Sequence, residues 1–161
     1  MHPEAMEWIG RHATREPVTV LDIGGRFING TPRPLFPHAE YVVLDVLPGP
    51  GVDIVADAAT WVPDRAYDVV VCAEVFEHAA EWPRICQMAF KACADGGRFI
   101  VTCAGPGRAV HSGVDGSPVL HDGEHYANVD PDDLANLLLF TGWQDITVDR
   151  LGLDVRAVAY K

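Results

Sequence analysis

The chain has 161 residues, of which 48% are hydrophobic and 22% are charged, a composition typical of a single globular domain over residues 1–161. Its 12 basic and 23 acidic residues give a net charge of -11, which disfavours nucleic acid and anionic membranes as partners because both require clustered basic side chains. With neither a signal peptide nor an apolar run of roughly 18 residues, we expect a cytoplasmic protein.

The first half of the chain combines one helical segment with several strand-like runs. Residues 4–12 predict a short helix with Met6, Trp8 and Ile9 facing inward. Continuous apolar runs, rich in β-branched residues, then follow at 18–23, 41–46, 53–56, 67–73 and 98–103. Runs without polar alternation indicate strands that are buried on both faces, as in a parallel sheet.

Two amphipathic helices are predicted between and after these strands. In residues 82–93, apolar side chains recur every three or four positions, and the 95–97 Asp-Gly-Gly sequence is a stop signal. The other helix begins with Asp130 as cap and Pro131 in the first turn, and Gly142 ends it. Its predicted buried stripe consists of Leu134, Leu137, Leu138 and Phe140.

The last two strand-like runs, at 143–150 and 154–161, are joined by only three residues. A parallel crossover needs about a dozen residues or more, so these strands must pair antiparallel. We therefore predict an α/β fold with a mostly parallel seven-stranded sheet that ends in an antiparallel C-terminal hairpin. Four cysteines lie in apolar runs without a CxxC pair, which predicts buried, reduced thiols: Cys72, Cys86, Cys93 and Cys103.

Glycines and acidic residues follow the first three strands, where open parallel sheets bind ligands. Gly24 and Gly25 follow strand one and allow close backbone approach to a ligand. Asp45 ends strand two, at a position suited to bind both hydroxyls of a ribose. Asp57 follows strand three and is able to accept a hydrogen bond from an adenine amine. For each acid alone, a loop cap or a solvated turn is the alternative.

Taken in order, these motifs resemble those of class I S-adenosylmethionine-dependent methyltransferases of the small-molecule type. The resemblance extends from about residue 18 to 104 and rests on Asp22-x-Gly24, Asp45, the Asp57-Ala58 pair, YDVVVCAEVFEH at 67–78 and DGGRFI at 95–100. It implies a Rossmann-like three-layer sandwich, with S-adenosyl-L-methionine as cofactor and S-adenosylhomocysteine as product.

The resemblance also implies cofactor-binding roles. Gly24 and Gly25 would pass beneath the methionine portion, Asp22 would order its ammonium group, and Asp45 would hold the ribose. The other implied cofactor-binding residues are Val46 beside Asp45, Asp57 and Ala58 at the adenine, Cys72, Ala73 and Glu74 at the amino-acid end, and Val75 or Phe76 against the adenine or the sulfonium.

Two departures from the family pattern stand out. Arg26 and Ile28 occupy positions where the family loop carries glycine, and we hypothesise that Arg26 pairs with the cofactor carboxylate. Residues 29–34 contain two prolines where the family has a full helix, which predicts a loop with at most a short turn.

Histidines supply the candidate bases. His78 is the first candidate, with local packing or capping as the alternative, and His111 and His121 come second. The polar segment 107–127, which contains the latter two, is interpreted as a solvated surface loop, a lid over the substrate or a metal site. Because the spacing of His111, His121 and His125 matches no standard ligand signature, we expect no metal.

These observations favour methyl transfer from S-adenosylmethionine to an oxygen, nitrogen or carbon of a small molecule. A base is optional, since it is needed only where the methyl acceptor must lose a proton. The first alternative is a non-catalytic S-adenosylmethionine-binding regulatory or accessory protein. The second is a nicotinamide-dependent oxidoreductase, disfavoured because no G-x-G-x-x-G follows strand one.

Overall fold

A computed structural model describes residues 2–28 and 30–161 and contains, in these ranges, three α-helices and seven strands. The helices are α1 (Pro3–His12), α2 (Trp82–Ala92) and α3 (Pro131–Thr141). The strands are β1 (Thr19–Ile23), β2 (Glu40–Asp45), β3 (Ile54–Val55), β4 (Tyr67–Ala73), β5 (Cys93–Ala104), β6 (Gln144–Leu151) and β7 (Asp154–Tyr160). Short 3₁₀ helices span Arg33–Leu35 and Phe76–His78.

All seven strands form one sheet in the order β3-β2-β1-β4-β5-β7-β6. The adjacent strands among β1 to β5 pair parallel with one another, whereas β7 is antiparallel to both β5 and β6. The predicted mostly parallel sheet with an antiparallel C-terminal hairpin is confirmed. The chain leaves β1 towards one edge of the sheet and returns to place β4 on the other side of β1, which makes a topological switch point between β1 and β4.

Both faces of the sheet are covered, as continuous apolar strands require. Val20 packs in a cluster with Trp8 and Ile9 of α1, while the next residue, Leu21, packs in a second cluster with Ile85 of α2. Successive strand residues point to opposite faces, so a strand between two layers buries every side chain. The result is the Rossmann-like three-layer sandwich that the resemblance implied.

Details of three helices differ from the sequence prediction. In α1, Met6 is only half-buried, and Ala5 is buried together with Trp8 and Ile9. In α3, Phe140 is 85% exposed, because it lies about 200° around the helix from the buried Leu138. Helix α2 ends at Ala92 and β5 begins at the next residue, so the glycines at 96–97 lie in the irregular start of β5 rather than ending the helix.

Other expectations are confirmed. All four cysteines are free and buried. The segment predicted to be a loop with at most a short turn, residues 29–34, contains one 3₁₀ turn in its described part, at Arg33–Leu35. Asn29, the first residue of that segment, lies outside the described residues. None of the described helices combines the length and the apolar character needed to cross a membrane.

Candidate active site

A cavity of about 470 Å³ opens at the carboxyl ends of β1 to β4, at the switch point. Twelve of the candidate residues, drawn from four separate segments of the sequence, line this one space. They are Asp22, Gly24, Gly25, Arg26, Asp45, Val46, Asp57, Ala58, Ala73, Glu74, Val75 and His78.

The loop after β1 accepts only glycine at two successive positions. Gly24 has a φ of 71°, and a Cβ there would lie 2.3 Å from Cγ2 of Val75. A Cβ at Gly25 would lie 2.4 Å from Oδ2 of Asp22. The backbone therefore runs against these two side chains on one side and against the cavity on the other.

Asp22 is a buried carboxyl group at the base of the cavity. It is 1% exposed, and its Oδ2 accepts a hydrogen bond of 2.8 Å from the Tyr41 hydroxyl. Burial, with a smaller contribution from the nearby Asp45, raises the pKa of Asp22 to about 7, although the Tyr41 hydrogen bond opposes the increase. The protein thus holds an acid in a place where the negative charge is costly unless a cation comes close.

Asp45 is fixed by the main chain around it. Its Oδ2 accepts from the Arg26 amide at 3.2 Å and its Oδ1 from the Leu47 amide at 2.9 Å. The Arg26 side chain lies on the same side, with Nε 3.9 Å from Asp45 Oδ1 and Nη2 donating to the Val114 carbonyl at 2.9 Å. Arg26 therefore links Asp45 to the 107–127 loop, and its pairing with a cofactor carboxylate stays a prediction.

Asp57 is exposed at the cavity edge, where its Oδ1 caps a turn by accepting from the Ala59 amide at 2.9 Å. Ala58 is buried beside it. The capping alternative and the binding role are compatible, since one carboxylate offers about four acceptor sites.

Glu74 holds a backbone conformation that is rare for its residue type. Its φ is 59°, and its amide donates to the Thr102 carbonyl at 2.7 Å. The Glu74 carboxylate reaches Nε2 of His2, at 3.0 Å. Left-handed backbone costs roughly 1–2 kcal/mol in a non-glycine residue and concentrates at functional sites. Sequence analysis identified Glu74 but missed His2, which no local pattern connects to it.

Two predicted cofactor residues lie outside the cavity. Cys72 is completely buried within the sheet. Phe76 is 1% exposed and packs against Trp82 and Phe99, with ring centroids 5.3 and 6.4 Å away. Since the Phe76 ring belongs to the core beneath α2, Val75 is the member of that pair that reaches the cavity.

His78 is the one predicted base candidate among the described cavity-lining residues. Its ring packs nearly perpendicular to that of His111, at 4.9 Å, and against Tyr126, at 5.5 Å. Burial, reinforced by His111, lowers the pKa of His78 to about 4, so the imidazole is uncharged at neutral pH. His111 is thus a neighbour of His78 rather than a cavity residue.

His121 lies away from the cavity. It is exposed and contacts Asp115 at 3.1 Å, within the 107–127 loop itself. That loop nevertheless forms one wall of the cavity through residues that sequence analysis did not select: Gly113, Val114, Gly123, Glu124 and His125. Their placement favours the lid interpretation of the loop over a simple solvated surface.

The sequence of residues 1–148 matches a family described as a methyltransferase domain. Among curated proteins, no sequence matches the chain significantly.

Solved structures share the fold. The complex of DhpI with S-adenosylhomocysteine is 20% identical, with a TM-score of 0.73 over 98% of this chain and 82% of that one. A Burkholderia thailandensis 1,6-didemethyltoxoflavin-N1-methyltransferase is 13% identical, with a TM-score of 0.72 over 99% and 77% of the two chains. The YcgJ protein from Bacillus subtilis is 13% identical, with a TM-score of 0.69 over 92% and 71%. With most of its length matched by the family, the chain belongs to the methyltransferase-domain family, as a class I S-adenosylmethionine-dependent methyltransferase.

Proposed function

We propose that residues 1–161 act as a single-domain enzyme that transfers the methyl group of S-adenosylmethionine to a small molecule. The observation that carries this proposal is the convergence of Asp22, Asp45, Asp57 and the two glycines on one cavity. Such a set matches a nucleoside with a positively charged amino-acid tail: carboxylates for the ribose, adenine and ammonium groups, and bare backbone for close approach.

The bare backbone at the two glycines supports the same assignment. At Gly24 and Gly25 the backbone has no room for a side chain, so bare main chain faces the ligand, while the Gly24 amide itself donates to the Leu44 carbonyl at 2.7 Å. We assign the ribose to Asp45, the adenine to Asp57 and Ala58, and the ammonium group to Asp22. When bound, S-adenosylmethionine supplies a methyl group already activated by its sulfonium. The protein contributes by orientation, which supplies about 7–11 kcal/mol of a typical barrier.

A small molecule is the favoured methyl acceptor. The 107–127 loop closes one side of the cavity with His125 and Glu124, which suits a compact ligand better than a polymer. The net charge of -11 disfavours nucleic acid. The Burkholderia relative acts on 1,6-didemethyltoxoflavin, a small-molecule precedent on the same fold.

The four free cysteines support a reducing, cytoplasmic location.

We assign His78, which lines the cavity, to contact the methyl acceptor. We expect His78→Ala to lower the methylation rate at least about tenfold, the cost of one lost positioning contact, while the affinity for S-adenosylhomocysteine stays within about twofold. Rates and calorimetric affinities are measured on the same preparations. His38→Ala, at an exposed site outside the cavity lining, is the matched control. It should keep both the methylation rate and the affinity for S-adenosylhomocysteine. A parallel loss of rate and affinity in His78→Ala would assign His78 a structural role.

Two measurements test the function itself. In thermal melting, S-adenosylhomocysteine at about 100 times its dissociation constant stabilises the fold by roughly 2.7 kcal/mol, whereas NAD gives no shift. Turnover is then assayed with a panel of small hydroxyl, amine and carbon acceptors by measuring S-adenosylhomocysteine formed. Stabilisation without turnover on any of them would favour the accessory-protein alternative, and stabilisation by NAD would contradict the proposal.

A further inference from the structure

Glu77 is a buried carboxyl group with one oxygen unaccounted for. It follows β4 within the Phe76–His78 turn and is 0% exposed. Its Oε1 accepts from the Ala104 amide at 3.1 Å, but Oε2 has no hydrogen-bond partner among the described residues. Burial raises the pKa of Glu77, so this group holds its proton at neutral pH unless a cation lies at Oε2.

Two imidazoles stand beside the Glu77 carboxyl group. Glu77, His78 and His111 each offer one possible ligand atom, and the three atoms lie within 4.8 Å of one another. Nδ1 of His78 is also buried and without a partner among the residues described. Tyr126 packs against both imidazole rings, with centroids 5.5 and 5.0 Å away, and so limits their rotation.

We propose that Glu77, His78 and His111 bind a divalent first-row transition cation, such as Zn²⁺, Fe²⁺, Mn²⁺ or Co²⁺. Two imidazoles and one carboxylate are a donor set that these cations share, and three protein ligands leave coordination positions open. The cation satisfies Oε2 of Glu77 and Nδ1 of His78 together. It also ties the 107–127 loop, which supplies His111, to the end of β4.

The site bears on the methyl acceptor, a step that rests on the proposed function. His78 lines the cofactor cavity, so a cation bound to it would lie near the edge of that cavity. A group that coordinates there must carry a lone pair, which favours an oxygen or nitrogen acceptor over carbon.

A second cluster of possible ligands carries no such proposal. His2, Glu74 and Asp154 also lie close together, but the Arg108 guanidinium already pairs with Asp154 and lies 3.3 Å from Nε2 of His2. A fixed positive charge is therefore present there.

The expectation of no metal rests on the histidines of the 107–127 loop considered among themselves. The fold instead brings His111 together with two residues that lie 33 and 34 positions earlier in the sequence.

Cobalt titration of the chelator-treated full chain tests the site, without nucleoside or methyl acceptor. We expect one Co²⁺ per chain, followed by visible absorption and by calorimetry. Glu77→Gln, which keeps an acceptor for the Ala104 amide, and His111→Ala should each weaken binding at least about tenfold, as loss of one ligand requires. His121→Ala is the matched control, because it removes an exposed histidine of the same loop.

Circular dichroism identifies any variant that fails to fold; if Glu77→Gln does, His111→Ala decides alone. The inference is overturned by the absence of saturable binding, by full affinity in His111→Ala, or by an equal loss in His121→Ala. A separate titration with S-adenosylhomocysteine distinguishes the two proposals. Nucleoside binding without cobalt binding contradicts the metal site alone, and cobalt binding without nucleoside binding contradicts the proposed function alone.

Discussion

Replacing Gly24 by alanine is expected to destabilise the protein by about 3 kcal/mol and to abolish measurable binding of S-adenosylhomocysteine. The new Cβ meets Cγ2 of Val75 at 2.3 Å, and the residue must keep a φ of 71°. Overpacking costs typically 1–3 kcal/mol and left-handed backbone about 1–2 kcal/mol. Any relaxation moves the loop towards the cavity. Chemical denaturation and calorimetry measure the two effects.

Two further variants separate these contributions. Gly51→Ala also has a positive φ, 81°, but its Cβ would have no heavy atom within 4 Å, so it should cost only about 1 kcal/mol and leave ligand affinity unchanged. Adding Val75→Ala to Gly24→Ala removes the 2.3 Å contact. The free energy of unfolding of this double variant should therefore rise most of the way from the value for Gly24→Ala to the value for Gly51→Ala. If Gly24→Ala and Gly51→Ala are equally stable, the close contact with Val75 has no energetic importance.

The second large effect is a pH dependence of stability that originates at Asp22. With a native pKa of about 7 and an unfolded value near 4, the native carboxyl holds a proton that the unfolded chain has lost between these pH values. Stability therefore falls as pH rises from about 4 to 7, by up to about 4 kcal/mol, and this contribution is constant above the native pKa.

Asp22→Asn removes this dependence, because asparagine imitates the protonated acid at every pH. We expect the variant to match the wild type near pH 4 and to be the more stable protein at pH 8. Its affinity for S-adenosylhomocysteine at pH 8 should fall at least about tenfold, since a charged hydrogen bond to the ammonium group is lost. Chemical denaturation of the wild type and of Asp22→Asn from pH 4 to 9 gives the difference in their free energies of unfolding. That difference isolates the contribution of Asp22 from those of the other titrating groups.

Tyr41→Phe should enlarge the pH dependence of stability instead of removing it. The Tyr41 hydroxyl donates to Asp22 and opposes the rise in the pKa of Asp22. Its removal should therefore extend the loss of stability to higher pH.

The outcome that contradicts this account concerns Asp22→Asn. If the free energies of unfolding of the wild type and of Asp22→Asn depend on pH in the same way, Asp22 is ionised in the folded protein at little cost.

The sequence predicted those features of the fold and the site that depend on local pattern and strand order. Continuous apolar runs required a sheet covered on both faces, and a three-residue link required the final hairpin. The acids at Asp45 and Asp57 follow from the rule that carboxyl ends of parallel strands share one edge, whereas the role of Asp22 was implied by the resemblance to the methyltransferase motifs. None of these inferences needs a side-chain direction or a contact between distant segments.

What the sequence did not predict depends on packing between distant segments. Phe76 and Val75 are equally apolar, and only the position of Trp82 shows that Phe76 fills the core. The guanidinium of Arg26 is directed by Asp45 and by Val114, which is 88 residues away. His2 reaches Glu74 across 72 residues. Such pairings are set by the tertiary fold, and no periodicity encodes them.

The central claim is that the acids at the switch point bind the cofactor nucleoside. A crystal structure of the protein with S-adenosylhomocysteine tests it most directly. We expect the ribose hydroxyls on Asp45, the adenine beside Asp57 and Ala58, and the amino-acid portion over Gly24 near Asp22. A nucleoside bound elsewhere on the protein, or bound in the cavity with its ribose away from Asp45, would contradict the account.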